Sequence, residues 1–76
     1  MEHYKNLSGN SGVREFEIGD DFIKVKFHGK TNVYKYSNII TGSHHIERMK
    51  RLAIAGIGLC TYITTNSQVK NHFTKY

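Results

Sequence analysis

Residues 22–36, FIKVKFHGKTNVYKY, decide the fold of this chain. Apolar side chains at positions 23, 25 and 27 alternate with Lys24, Lys26 and His28, which is the pattern of a strand with one buried and one solvated face. Gly29 follows at the first central position of a two-residue turn, as a type II′ hairpin requires. The stretch therefore predicts two antiparallel strands joined by a tight turn.

The turn fixes which side chains of the two strands face each other. The predicted facing pairs are Phe27–Asn32, Val25–Tyr34 and Ile23–Tyr36 on an apolar face, and Lys26–Val33 and Lys24–Lys35 on the other face. Like charges that face each other across two strands cost stability. The pair Lys24 and Lys35 is therefore either tolerated in solvent or used to hold an anion.

Residues 13–18 predict a third strand, on the other side of residues 22–27. A loop over residues 19–22 gives the facing pairs Ile18–Ile23 and Phe16–Val25 on the apolar face, and Glu17–Lys24 and Glu15–Lys26 on the charged face. Apolar matching and charge matching agree in this register, which predicts a three-stranded antiparallel meander.

The residues after the meander predict one α-helix, from His44 to about Ala55. Ser43 or Gly42 can cap its start, and Gly56 is suited to end it in a left-handed conformation. The helix has an apolar stripe, which should cover the apolar face of the sheet, and a charged stripe. These stripes are Ile46, Met49, Leu52 and Ala53, and Glu47, Arg48 and Arg51.

Both ends of the chain are less regular. Residues 1–12 lack apolar periodicity and predict a mobile N-terminal arm, so that the domain spans residues 13–76. Residues 59–65 are rich in β-branched side chains, which favours a strand, yet their apolar side chains also stand at helical spacing. Residues 69–76 predict a short final element that docks through Phe73 and Tyr76. The expected fold class is α+β: an antiparallel three-stranded β-meander packed by one α-helix, with a short C-terminal element.

Length and composition limit the class of protein. The 76 residues make one small domain, near the size at which a single core struggles to hold itself, so we expect a homo-oligomer. Eleven Lys/Arg against six Asp/Glu give a net charge of +5, which either attracts polyanions or keeps the domain soluble. A single cysteine, no secretory-signal layout and no long apolar run predict a cytoplasmic protein without a membrane partner.

The order of these signals resembles the KTSC domain family of small domains. The resemblance covers about residues 13–63 and is carried by Phe22-x-x-Val25-x-Phe27, the turn at Gly29, the YxY motif Tyr34-Lys35-Tyr36, Ile39, and a helix end that leads to Gly58 and Tyr62-Ile63. The chain departs from the family pattern by having no Pro before the helix, and Gly56-Ile57 where the family often has a Ser.

The resemblance implies a function without enzymatic activity. RNA binding is generally suggested for the family. Small viral proteins that look like this fold, basic and oligomeric, include sponges that sequester cyclic nucleotide immune signals. For a viral protein the resemblance would imply action in the host cytoplasm.

Seven side chains are candidate ligand contacts: Lys24, Lys35, Tyr34, Tyr36, His44, Arg48 and Arg51. The planar fork of arginine suits bidentate contact with phosphate, and a histidine at a helix start can donate to an anion that the helix dipole favours. The two tyrosines either stack on bases or pack in the core, since the register places them on the face that the helix covers. The cations equally suit a solvated face, with Arg51 as an i,i+4 partner for Glu47.

Catalysis, cofactors and metal binding are not expected. His44 and His45 diverge by about 100° on a helix, and Cys60 is isolated, so these residues make a poor metal site. The acidic residues are assigned to the sheet, a turn and the helix surface, which leaves no paired carboxylates for acid–base chemistry.

Three functions remain open. The leading hypothesis is a non-catalytic nucleotide-binding protein that sequesters a small phosphate-containing ligand, most directly a cyclic nucleotide immune signal. Its site would lie where the helix edge meets Lys35, across a subunit interface. The first alternative is an RNA-binding single-domain protein, and the second is a protein-interaction module that uses an exposed sheet edge.

Overall fold

The computed structural model describes residues 1–9 and 11–75 as an α+β fold with one antiparallel sheet, in the strand order β1-β2-β3-β4-β5. The strands are β1 (Glu2–His3), β2 (Val13–Ile18), β3 (Phe22–Phe27), β4 (Val33–Ser37) and β5 (Thr74–Lys75). The helices are α1 (Ser43–Ala55), α2 (Leu59–Thr65) and α3 (Ser67–Lys70). The predicted fold class is confirmed, but the meander and its helix are joined by two further short strands and two further short helices. Of the helices in the described residues, none has the length and apolarity that crossing a membrane requires.

Strands β2, β3 and β4 form the predicted meander in the predicted register. The facing pairs include Phe16–Val25, Ile18–Ile23, Glu17–Lys24, Val25–Tyr34, Ile23–Tyr36 and Lys24–Lys35. Because side chains alternate along a strand, Ile23 and Val25 lie on one face and are fully buried, whereas Lys24 lies on the other. We call these the inner and the outer face of the sheet.

Two local features of the meander differ from the expectation. The turn after β3 is closed by the Lys30 N–H, which donates to the Phe27 carbonyl at 3.2 Å, and Gly29 occupies its second central position with φ of +75°. The predicted type II′ turn is therefore wrong, although Gly29 does supply the positive φ that the reversal needs. The register of β2 also shifts between Val13 and Glu15, and this irregularity turns Val13 into the core, where it is fully buried.

Helix α1 covers the inner face, as predicted from its apolar stripe. Ile46, Met49 and Ala53 are buried in one cluster with the inner-face side chains of β3 and β4. Gly56 ends the helix with φ of +77°, and its N–H donates to the carbonyls of the last turn. The side chains of Glu47, Arg48 and Arg51, on the side of α1 that faces away from the sheet, are exposed.

Residues 59–65, for which the sequence is compatible with both a strand and a helix, form helix α2. In α2, Leu59 and Ile63 are buried, so the helical spacing decides over the β-branched composition. Strand β5 then pairs with β4 and extends the sheet. The predicted docking of Phe73 is confirmed, since this side chain packs against the core, while Tyr76 lies outside the described residues.

The N-terminal segment differs from the mobile arm that the sequence predicts over residues 1–12. Strand β1 pairs with β2, and Tyr4 is only 2% exposed, with its ring edge-on to Phe16 at 6.4 Å between centroids. The Tyr4 hydroxyl accepts from the Leu59 N–H at 3.3 Å, and the Leu7 N–H donates to the Gly56 carbonyl at 2.8 Å. A single buried aromatic residue is too short a signal for apolar periodicity, which explains why the sequence pattern missed this contact.

Candidate functional site

Three of the seven predicted site residues share one cavity. His44, Arg48 and Arg51 line an open cavity of about 390 Å³ together with Glu47 and Tyr62. We call this cavity, defined by these five side chains, the α1–α2 groove. The other four predicted residues lie elsewhere: Lys24 and Lys35 on the outer face of the sheet, and Tyr34 and Tyr36 against the core.

The spacing of the α1 residues explains why they meet. Positions 44, 47, 48 and 51 follow the i, i+3, i+4, i+7 pattern, so they fall within about 100° of the helix circumference. His44 and Arg51 are about 10 Å apart along the helix axis at 1.5 Å per residue. The groove is thus a polar strip on the side of α1 that the sheet does not cover, and Arg48 and Arg51 are both exposed there.

Tyr62 brings an aromatic wall to the groove from the second helix. Its hydroxyl and the Nδ1 atom of His45 form a hydrogen bond of 2.7 Å, in which the donor depends on the histidine tautomer. The His45 ring in turn stacks on His44, with 4.8 Å between centroids and 18° between planes. These contacts link α2 to the first turn of α1 and fix where the Tyr62 ring lies.

In the groove, the carboxylate of Glu47 has a salt-bridge partner, whereas the two arginines have none among the described residues. Glu47 pairs with Lys50 at 3.3 Å rather than with Arg51, so the i,i+4 pair considered from the sequence does not form. Lys50 also donates to the Asp20 carbonyl at 2.9 Å. Within residues 1–9 and 11–75, neither Arg48 nor Arg51 has an ion pair or a hydrogen bond through its side chain. Two guanidinium groups therefore face a shared cavity with their donors uncommitted.

The outer-face lysines have local partners instead. Lys35 Nζ lies 4.7 Å from the centroid of the Phe22 ring, and Lys24 Nζ lies 5.6 Å from the same centroid. Lys24 also approaches Glu17 at 4.0 Å. The ring face is attractive to both cations, so Phe22 offsets the repulsion between two facing lysines. This contact gives the lysine pair a structural role that needs no bound anion.

The two tyrosines of the YxY motif follow the core interpretation. Tyr36 is 1% exposed, and its burial raises the pKa of its hydroxyl, an effect that nearby Tyr34 and Cys60 reinforce. Tyr34 stacks on Phe73 at 4.8 Å and meets Phe27 edge-on at 5.4 Å. Both rings are thus occupied by aromatic and apolar neighbours on the side of the sheet that α1 covers.

Two residues of the groove were not predicted as ligand contacts. The sequence contains a signal for Tyr62, its helical spacing with Leu59 and Ile63, but the face on which its side chain lies depends on whether residues 59–65 form a strand or a helix. The sequence places Glu47 in the charged stripe of α1, with Arg51 as a salt-bridge partner, and the structure adds that Glu47 lines the cavity together with His44 and Arg51. In the residues that the structure describes, no three His, Cys, Asp or Glu side chains form a group that could hold a metal ion.

No protein-family model, curated protein or solved structure matches this chain. The resemblance to the KTSC domain family therefore stays a prediction.

Proposed function

We propose that this protein binds a nucleotide or small cyclic oligonucleotide in the α1–α2 groove and sequesters it without transforming it. The observation that carries the proposal is the pair of arginines, Arg48 and Arg51, which line one cavity and have no side-chain partner among the described residues. Cations without partners that converge on a cavity are suited to a phosphate, because arginine can give two parallel hydrogen bonds to its oxygens.

The remaining lining fits the same ligand class. His44 is the second residue of α1, in a first turn that carries no acidic side chain, so the helix dipole also favours an anion there. The Tyr62 ring packs partly against the core and also lines the cavity, where a base would stack on it, a contact worth about 1–3 kcal/mol. Phosphate recognition would thus come from α1 and base stacking from α2.

Sequestration in a homo-oligomer is the form of the proposal that the resemblance implies, with a cyclic nucleotide immune signal as the ligand. The cavity is open, and a second copy that closed over it would bury more of the ligand. Ile54 in the last turn of α1 and Ile57 just after the helix are 61% and 47% exposed, which is apolar surface that self-association could bury. The oligomeric state can be read from multi-angle light scattering, with and without ligand.

RNA binding is a second candidate, favoured by one specific feature. The outer face of the sheet presents a partly exposed Phe22 between Lys24 and Lys35, and an aromatic ring flanked by cations on an open sheet is a platform for single-stranded bases. An extended RNA track would lose affinity steeply with salt, whereas a closed site for one small ligand would lose little.

A thermal-shift panel of mononucleotides, cyclic dinucleotides and short RNA tests the proposal. A ligand at 100 times its dissociation constant adds about 2.7 kcal/mol, which for a domain of this size corresponds to about 10 °C or more in Tm. The panel would contradict the proposal if no nucleotide shifted the protein.

A matched pair of double variants then locates the site. Arg48→Gln with Arg51→Gln should weaken nucleotide binding by at least about 100-fold, because each charge-assisted contact is worth about 1.5–3 kcal/mol. Lys24→Gln with Lys35→Gln removes the same charge from the outer face and should leave a small cyclic ligand unaffected. The reverse pattern would favour the RNA platform. Glutamine is a good helix former, so the arginine variant should stay folded.

A further inference from the structure

A carboxylate lies inside a groove that we propose for a phosphate ester. Glu47 lines the cavity alongside His44, Arg48 and Arg51. Repulsion between this carboxylate and a phosphate would weaken binding, unless Glu47 serves a different part of the ligand. Its position allows this, since Glu47 and Arg48 are neighbours in sequence and diverge by about 100° around the helix.

The Glu47 carboxylate is oriented by a salt bridge to Lys50, one turn further along α1. Lys50 Nζ lies 3.3 Å from Glu47 Oε2 and 2.9 Å from the Asp20 carbonyl in the turn between β2 and β3. The Lys50 side chain is only 13% exposed, while that of Glu47 is 61% exposed. A largely buried lysine, which also donates to the turn between β2 and β3, therefore orients a carboxylate that remains open to the cavity. An oriented carboxylate is an acceptor for two hydrogen bonds side by side.

Among the common bases, guanine matches such an acceptor. Its Watson–Crick edge carries the N1–H and the N2 amino group next to each other, so both can donate to one carboxylate. Adenine and cytosine each place an acceptor nitrogen beside their amino group, and that nitrogen would face the carboxylate without a proton. Uracil has one N–H between two carbonyl oxygens. A carboxylate in the groove thus discriminates between bases by the pattern of their donors.

We infer that the α1–α2 groove selects guanine nucleotides, with Glu47 accepting from the guanine N1–H and N2 amino group. The inference rests on the proposed function, because Arg48 and Arg51 would hold the phosphate. The guanine ring would lie against Tyr62, whose position is set by its 2.7 Å hydrogen bond to His45. Lys50 is then a positioning residue, which acts through Glu47 and does not touch the ligand.

Calorimetry with three probes tests this assignment: cyclic di-GMP, cyclic di-AMP and cyclic di-IMP. We expect cyclic di-GMP to bind about tenfold to 100-fold more tightly than cyclic di-AMP, as good bidentate contacts to a base discriminate. Cyclic di-IMP keeps the N1–H and lacks the N2 amino group, so its affinity should fall between the two.

The decisive variant is Glu47→Gln. Its amide presents one acceptor and one donor, so cyclic di-GMP should lose about tenfold or more while cyclic di-AMP keeps or gains affinity. The control is Glu2→Gln, which removes an exposed carboxylate from β1 and should leave all three affinities unchanged. Lys50→Met should reduce the preference for guanine without removing the carboxylate. Circular dichroism checks that each variant is folded.

The outcomes separate this inference from the proposed function. Equal affinities for the three probes, all lowered by Arg48→Gln with Arg51→Gln, would keep the nucleotide site and overturn the assignment of guanine. A guanine preference that survives Glu47→Gln would likewise overturn it. If none of the three probes binds, the inference falls, and the proposed function falls with it only if the thermal-shift panel also finds no nucleotide that binds.

Discussion

The two faces of the sheet differ in charge and in burial: the inner face is apolar and buried, and the outer face is charged and partly exposed. On the inner face, side chains such as Ile23, Val25 and Tyr36 are at most 1% exposed and lie beneath α1. On the outer face, the cations Lys24 and Lys35 remain partly exposed and make cation–π contacts with the Phe22 ring. The inner face supplies the stability of the domain, and the outer face keeps its charge in local contacts.

The comparison shows why net charge alone did not locate a site. The cations of this protein, whose net charge is +5, lie both on the outer face of the sheet and on α1. The lysines of the outer face are near a carboxylate or a ring, whereas Arg48 and Arg51 have no side-chain partner in the described residues. What distinguishes a candidate site is therefore the lack of a local partner together with a shared cavity, rather than the number of cations.

The largest expected effect comes from the part of the inner face that the sequence assigned to a mobile arm. Tyr4→Ala should lower the free energy of unfolding by about 3 kcal/mol, as large-to-small changes of buried aromatic residues do. The physical reason is the loss of packing against Phe16 and of the hydrogen bond from the Leu59 N–H. Urea denaturation followed by circular dichroism measures the change.

Two controls sharpen the Tyr4 prediction. Tyr4→Phe keeps the ring and removes the acceptor for Leu59, so it should cost about 1 kcal/mol. Leu7→Ala, in the same segment but 65% exposed, should change stability by less than about 0.5 kcal/mol. If Tyr4→Ala were as mild as Leu7→Ala, the N-terminal segment would not belong to the inner face.

The meander could be predicted from the sequence because two independent patterns specify one register. Shifting β3 by one residue would turn Ile23 and Val25 to solvent and would also break the pairing of Glu17 with Lys24. The short strands β1 and β5 have two residues each, too few for any period to show. Their pairing depends on contacts made elsewhere, such as the burial of Tyr4 and the packing of Phe73.

The candidate site could be predicted on α1 and not beyond it. The heptad-like spacing of His44, Arg48 and Arg51 is visible in the sequence, and the structure places all three on one cavity. Lys35 does not join them, since the same alternation that turns Tyr34 and Tyr36 towards the core places Lys35 on the outer face of the sheet, away from the groove. The place of Tyr62 in the groove could not be predicted, because the sequence of residues 59–65 is compatible with both a strand and a helix.

A smaller effect is expected on the inner face, where the buried hydroxyl of Tyr36 should make the stability of the fold depend on pH. Burial, with reinforcement from Tyr34 and Cys60, raises the pKa of this hydroxyl in the folded state above its ordinary value near 10. The folded protein therefore holds this proton more tightly than the unfolded chain, so stability is intact below pH 10 and falls as pH rises above it, by at most about 1.4 kcal/mol per pH unit.

Tyr36→Phe should remove this alkaline loss. The variant and the wild type should differ by nearly the same amount at pH 7 and pH 9, and the difference should shift in favour of the variant above pH 10. Urea denaturation at several pH values between 7 and 11 gives the two curves. Parallel curves throughout would contradict the assignment of the alkaline loss to Tyr36.

The smallest expected effect tests whether Phe22 holds the two outer-face lysines together. In a double-mutant cycle of Phe22→Leu and Lys35→Gln, the coupling free energy should be about 0.5–1 kcal/mol, typical of an exposed cation–π contact. The coupling should be favourable, because Lys35 Nζ lies 4.7 Å from the centroid of the Phe22 ring. Lys26→Gln is the matched control on the same face and should show no coupling to Phe22→Leu. A cycle without coupling would mean that Phe22 does not offset the facing charges, and the pair of lysines would again need another partner, such as a bound anion.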